Sequence, residues 1–422
     1  MWSSFAYLCL IGIAPAQDPQ PPVVGLVDLH SHLGAHLAVA PNYSPGPDAP
    51  LPQRPSYKHR FSQQMFREEL LKSGTVLFVN ASYEHPVRIG FRSKKAVART
   101  MEKQFAFTEA FIASDPEHFA LARNPAEARA AIADGKIVFV HAIESAYHVI
   151  DTPEDIQHWA DRGVALVTPI HLADSPYGGA SYTDTLGWIL NVKGQFKHAF
   201  APKKHRGLTP RGKKLVQGLI DAGIVVDVQH MSWDSIDDTL DIAELNGVAP
   251  IATHSTVFSV RGEPHAFRDD QIEDIYRMGG MIGIAGNPEG QNPHPARPFW
   301  ASHPKPVDYC PRTVDDFALH YSHLVELTKG QPVGWGSDWN GGVIHARPKY
   351  GKHGCNPTRS DGAVMDAYDT AGLVHIGALP AFVEHLERDG GVDDGPLMQS
   401  AERFLQIWEI AWSKAHPSDI AH

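Results

Sequence analysis

GLTPRGKKLVQGLIDAGIVVDVQHMS, from Gly207 to Ser232, holds one full cycle of the pattern that decides the fold. Thr209 offers a capping oxygen and Pro210 takes the first helical position, where a missing N–H is harmless. The helical stretch runs to Gly223, a residue suited to ending a helix. The β-rich run Ile224 to Val228 follows at once, and His230 closes it.

The same order recurs outward in both directions. Asn124-Pro125 precedes AEARAAIADG, and Thr152-Pro153 precedes EDIQHWADRG. Counting the short apolar runs gives eight: Val23 to Leu29, Val76 to Ala81, Ile137 to Ile143, Val164 to Ile170, Ile224 to Val228, Ile251 to Thr253, Met281 to Ala285, and Val333 to Gly336. Strands alternating with helices imply a parallel sheet, and eight such units imply a closed (β/α)8 TIM barrel. The 422 residues, 43% of them hydrophobic, give ample material for one large core. Three stretches without periodicity, 38 to 58, 287 to 312 and 339 to 362, each follow a strand. They are expected as long βα-loops over the C-terminal face, as substrate walls or as mobile surface loops. Residues 363 to 415 read as helices.

Charge and processing narrow the function classes. Lys+Arg number 37 against 48 Asp+Glu, for a net charge of −11, and the basic cluster Lys203-Lys204-His205-Arg206 is short. This balance repels nucleic acid and anionic membranes. The apolar run Phe5 to Ala14, followed by Ala14-Pro15-Ala16, reads as a signal peptide over residues 1 to 16, though its leading residues carry no Lys or Arg. About ten apolar residues are too few to span a bilayer. A secreted or periplasmic protein with no membrane span after cleavage is therefore expected, its single catalytic domain covering residues 17 to 422. Cys9 lies in the presumed signal, which leaves Cys310 and Cys355 as a pair whose bonding the sequence does not decide.

What closes each strand carries the chemistry, because a barrel gathers its C-terminal strand ends around one cavity. Those residues are His30 with His32, Asn80, Glu144, His171, His230, His254, Asn287 and Asp338, in a chain with 25 histidines. A lone His after a strand is more often a hydrogen-bonded structural residue than a ligand. Five His and two carboxylates at one mouth would need as many independent structural reasons. His30 and His32 point alike, as residues i and i+2 of an extended chain do, which suits two ligands on one cation. Glu144 can bridge two cations, or else pair with a barrel Lys or Arg; His230 and His254 end consecutive strands and can hold the second ion. Asp338 then lies beside a shared hydroxide, as general base and later acid. Two divalent ions sharing that hydroxide would bring its pKa toward neutral and polarise a carbonyl, which is hydrolysis chemistry.

PAEARAAIADGKIVFVHAIES, GLTPRGKKLVQGLIDAGIVVDVQHMS, APIATHST and VGWGSDWNGG, in that order, resemble the membrane (renal) dipeptidases, peptidase family M19 of the metal-dependent amidohydrolase superfamily. The resemblance implies a metallodipeptidase with two divalent ions, zinc by preference, and a dipeptide or related amide as substrate. It assigns Glu144 as bridging ligand, His230 and His254 to the second metal, Asp338 as acid/base, and His171 to the scissile carbonyl. The chain departs from the family at three places. His30-Ser31-His32 stands for HxD, Glu144-Ser-Ala-Tyr-His148 for E-G-G-H, and His265 for the Arg that holds a substrate carboxylate, with Arg268 or Arg261 as substitutes. Arg and His are not equivalent clamps. Alternatives therefore stay open: a superfamily hydrolase acting on a lactone, N-acyl amide or phosphoester, or a non-catalytic secreted metal-binding protein. Whether the chain forms a homodimer is not readable from sequence.

Overall fold

Nine parallel strands form the sheet: β1 (Leu26–Ser31), β2 (Thr75–Ser82), β3 (Phe119–Leu121), β4 (Ile137–Glu144), β5 (Val164–Thr168), β6 (Val225–Val226), β7 (Ile251–Ser255), β8 (Met281–Ala285) and β9 (Gly334–Gly336). Eight lie in the order β6-β5-β4-β2-β1-β9-β8-β7. A bridge from Asp227 to Ile251, with the Val228 N–H donating to the Ile251 carbonyl at 2.8 Å, brings the β6 and β7 edges together into a TIM-type barrel. This computed structural model describes residues 21–39, 67–85, 89–181, 190–192, 194, 206–263, 265–287, 308–341 and 343–417.

Each of the eight runs read from the sequence is one of these barrel strands. β3 is the addition: three residues, pairing with the lower half of β4, where Phe119 faces Ile137 and Leu121 faces Phe139. β5 joins β4 only from His141 upward, so β3 covers the backbone groups left below it.

The helix signals hold. Thr209, Thr152 and Asn124 cap Pro210–Asp221, Pro153–Asp161 and Pro125–Ala133, each accepting from the backbone N–H three residues on. Gly223 turns out of its helix at φ +73°, a left-handed conformation that costs a side-chain-bearing residue about 1 kcal/mol or more.

Alternation along β4 fixes what faces where. Phe139 stacks on Phe78, ring centroids 5.1 Å apart, and His141 on Phe105 of the helix Lys94–Ala113, at 4.0 Å; both face the helical layer. Val138, Val140 and Ala142 belong to the other core cluster, with Val27, Leu29, Leu77 and Val79. Glu144 continues this inward set and ends at the mouth. Phe404, Leu405 and Trp408 of the helix Ser400–Ala415 join the same cluster, and the Ser400 hydroxyl accepts from the Val27 N–H.

Most of two of the three expected loops lies outside the described residues, as do residues 1–20 and the basic cluster Lys203 to His205. The third, beyond β9, is packed. Trp339 stacks on His345 at 3.7 Å, and buried Lys349 pairs with Asp315 at 2.9 Å. The pairing left open in sequence is settled: Cys310 and Cys355 are joined by a disulfide. No described helix is long and apolar enough to cross a membrane.

Burial pulls the His141 imidazole down to about 4, against the opposing pull of Glu109. An unfolded His titrates near 6.5, so between these values the unfolded chain takes up a proton that the folded chain refuses. Stability then falls as pH drops below 6.5, by up to about 1.4 kcal/mol per pH unit. A His141→Phe variant should lose less melting temperature than wild type between pH 7 and pH 5. Equal losses would mean that His141 does not contribute.

Candidate metal centre

The five histidines and two carboxylates read at the strand ends arrive at one place. β1 supplies His30 and, one residue past its end, His32; β4 supplies Glu144. His171, His230 and Asp338 follow β5, β6 and β9, and His254 lies in β7. Glu144 is the hub: its Oε1 lies 3.1 Å from His171 Nε2, 3.2 Å from His230 Nε2 and 3.4 Å from His30 Nε2. Its Oε2 lies 3.7 Å from His32 Nε2, which is 3.0 Å from Asp338 Oδ1. His254 Nε2 reaches His230 Nε2 at 3.0 Å. The donor atoms of these mouth residues that lie within 4.8 Å of one another fall into three overlapping groups: His30, His32, Asp338; His30, Glu144, His254; and Glu144, His171, His230.

These residues suit cations better than they suit each other. His30 Nε2 is buried with no hydrogen-bond partner. His230 Nε2 has at most one proton, yet faces both an imidazole nitrogen and a carboxylate oxygen. The Nδ1 of His32 donates to the Ala81 carbonyl at 2.7 Å, which leaves its Nε2 lone pair aimed inward. Imidazole and carboxylate together are the donor set of zinc and its neighbours among the divalent transition metals.

Burial alone would raise the Glu144 carboxyl, but the His171 and His30 imidazoles hold it well below the usual carboxylate range. Burial drives His171 down to about 3 and His254 well below the ordinary histidine value, against the pull of the Glu144 charge on each. His32 goes the other way: burial opposes, but the Asp338 hydrogen bond and the Glu144 charge raise it.

Backbone geometry at the mouth is unusual where the chemistry sits. His230 and Asp338 have φ of +65° and +53°, a region that costs non-glycine residues on the order of 1–3 kcal/mol. The Asp338 N–H is pinned to the His30 carbonyl at 2.7 Å. Register shifts fall between Asp28 and Ser31 in the β1–β2 pairing and between Ala252 and Ser255 in the β7–β8 pairing, the stretches that carry His30 and His254. Such irregularities re-aim side chains beside active sites.

Other residues named from sequence stand apart from the donor groups. His265 lies beside Glu263, 3.5 Å away. The Arg268 guanidinium binds Asp237 at 3.1 Å and Asp270 at 2.9 Å and lies over the Trp233 ring. Asn80 accepts from the Leu33 N–H and donates to Thr108, which is a structural role.

Sequence reasoning missed Tyr83, whose ring lies 4.7 Å from that of His32 and 6.5 Å from that of His171. Burial, with Asp338 and Glu144 nearby, raises its hydroxyl well above the tyrosine range. Reading three residues past Asn80 would have found it. Asp28 and Asp227 were also passed over, although they precede His30 and His230 by two and three positions.

The model of the membrane dipeptidase family, peptidase family M19, matches residues 58–348. The chain belongs to this family. An uncharacterised dipeptidase of Schizosaccharomyces pombe is 23% identical over 209 residues, 49% of this chain and 42% of that protein. Dipeptidase verJ of Clonostachys rogersoniana is 23% identical over 249 residues, 59% and 55% respectively. The matched part of this M19 chain thus spans about half the length of these curated relatives. Solved structures share the fold: a metallopeptidase of family M19 called dipeptidase AC (TM-score 0.67, 17% identity, 92% of this chain and 99% of that one). A Rhodobacter sphaeroides metallopeptidase liganded with a phosphinate mimic of the dipeptide L-Ala-D-Ala gives 0.65, 16%, 92% and 100%.

A Cβ built on Gly341 of this M19 chain would stand 1.6 Å from Asp338 Oδ1. Gly341→Ala should therefore push the Asp338 carboxylate off its position and lower turnover by about 10²-fold. Unchanged turnover would show that this contact does not hold Asp338.

Proposed function

We propose that the chain is a metal-dependent dipeptidase that hydrolyses a dipeptide amide bond. One observation carries the reading: five imidazoles and two carboxylates from six strands or their ends converge around Glu144 at a barrel mouth. Dipeptidases among the similar proteins, and a metallopeptidase bound to a dipeptide mimic, support the substrate class.

His30 and His32 would hold one divalent ion and His230 and His254 a second, with Glu144 contributing to both. Zinc fits the donors best. When bound, the two ions supply Lewis-acid polarisation of the scissile carbonyl and make water more acidic. The protein's own residues do the rest. Asp338 takes the proton of the attacking water and returns it to the leaving amine. His171, a neutral imidazole, donates to the carbonyl oxygen as negative charge develops there. Of the three positions read as holding a substrate carboxylate, Arg268 already carries Asp237 and Asp270 and Arg261 carries Glu263 at 2.9 Å, so that role rests on His265. We further propose export to a secreted or periplasmic location, supported by the disulfide, which persists in oxidising compartments.

Purified full-length protein, given a panel of L,L and L,D dipeptides, should cleave some of them, lose that activity on chelation and regain it with zinc. Full activity without metal would refute the mechanism. Two bound metals with no dipeptide cleavage, but turnover of a lactone, N-acyl amide or phosphoester, would replace the substrate class. Asp338→Asn should reduce kcat by about 10²- to 10⁴-fold while metal content stays at the wild-type value.

A further inference from the structure

We propose that the Thr253 hydroxyl, oriented by Asp227, selects the tautomers of His30 and His254 together, so that one oxygen prepares a ring on each side of the metal centre. The inference rests on the metal reading above and adds two positioning residues to it.

Thr253 Oγ1 lies 2.8 Å from Asp227 Oδ2, 3.2 Å from His30 Nδ1 and 2.9 Å from His254 Nδ1. A hydroxyl has one proton and two lone pairs, so these three contacts exhaust it. Asp227 decides how they are shared. Its Oδ1 accepts the backbone N–H of Thr253 at 3.1 Å and of Gln229 at 3.0 Å, and its Oδ2 also accepts the Thr168 hydroxyl at 2.7 Å. Asp227, Thr168 and Thr253 are fully buried, so no water competes.

With every contact of the carboxylate an accepting one, the Thr253 proton goes to Oδ2. Both remaining lone pairs must then accept, and among the described residues the groups facing them are the two imidazole Nδ1 atoms. Each ring therefore carries its proton on Nδ1 and presents a bare Nε2 to the centre. His30 Nε2 is the buried nitrogen without a hydrogen-bond partner, and His254 Nε2 faces His230. The two rings lie side by side, centroids 3.9 Å apart, so one oxygen can serve both.

Substitutions at the two positions separate this role from simple packing. Thr253→Ser keeps the hydroxyl. Thr253→Val keeps the shape and removes the acceptor from both rings at once. Asp227→Asn does something more particular: its Oδ1 must still face two backbone N–H groups, so its Nδ2 turns toward the hydroxyls and donates to them. Thr253 is then obliged to give its proton to one of the two imidazoles, and that ring takes up its own proton on Nε2.

The test uses full-length protein labelled with ¹⁵N-histidine, with the ring tautomers read by NMR in the metal-free state and zinc affinity read against a competing chelator. Wild type and Thr253→Ser should show Nδ1–H on both His30 and His254. Thr253→Val should lose that preference and weaken both zinc sites by about 10- to 100-fold. Asp227→Asn should switch one ring and weaken one site while the other is kept. An Nε2–H tautomer on either ring of the wild type would overturn the proposal, as would a folded Thr253→Val variant with wild-type tautomers and zinc affinity. If Thr253→Val fails to fold, Asp227→Asn and the wild-type tautomers decide alone. Nδ1–H on both wild-type rings without any zinc binding would sink the metal reading and leave the tautomer selection standing.

Discussion

A buried carboxylate that stays ionised is the constraint around which the rest of this structure is arranged. Glu144 sits at the inner end of β4 with almost no exposure, and no Lys or Arg is in contact with it among the described residues. Taking a carboxylate out of water without a partner costs several kcal/mol or more. Its surroundings are imidazoles, each able to offer a proton or a lone pair but none a permanent charge. Such a hub is stable only when something positive is shared among its neighbours. Protons do this in part, and the unpartnered nitrogen of His30 shows that they do it incompletely.

Holding so many donors near one oxygen demands precision from the scaffold, and the scaffold gives up regularity to supply it. Strand pairing breaks step at the two stretches that carry His30 and His254. His230 and Asp338 accept left-handed backbones, and Gly341 keeps the space beside Asp338 clear of any side chain. Strain of this kind persists only where surrounding structure fixes it. Here the fixing is done by hydrogen bonds across the mouth, from the Asp338 N–H to the His30 carbonyl and from Ser337 to Asp28. The first strand and the last are thus locked together at the point where their donor side chains meet.

Legibility in the sequence followed physical range. Barrel strands and capped helices are set by local patterns, so all eight strands and the Thr209, Thr152 and Asn124 caps could be read directly. Strand ends reported the donors because a barrel converts position along a strand into position around a mouth. What stayed hidden depends on contacts between distant segments. β3 is three residues long and exists because β4 is left uncovered below His141. Cys310 and Cys355 pair through the folding of the loop beyond β9. Arg268 looks like a free cation in sequence, and only the fold shows that Asp237 and Asp270 have taken it. Thr253 reads as an ordinary strand threonine until His30, 223 positions away, is placed against it.

The substitution of His32 for an acidic residue acquires a consistent meaning on the proposed reading. The first two ligand pairs are then neutral, and Glu144 and Asp338 are the only anions of the donor set. Two divalent ions would leave this centre with an excess of positive charge in a buried setting, where charge is weakly screened. An excess of that sign attracts the carboxylate of a substrate and lowers the pKa of nearby water. Both effects act in the direction that a guanidinium clamp would otherwise serve. The loss of an Arg at position 265 and the loss of an acid at position 32 therefore offset one another electrostatically. They do not offset geometrically, because a diffuse positive field orients a carboxylate less strictly than a bidentate Arg does. On the proposed reading, such a centre would attract anionic substrates broadly and discriminate less among the positions their carboxylates occupy.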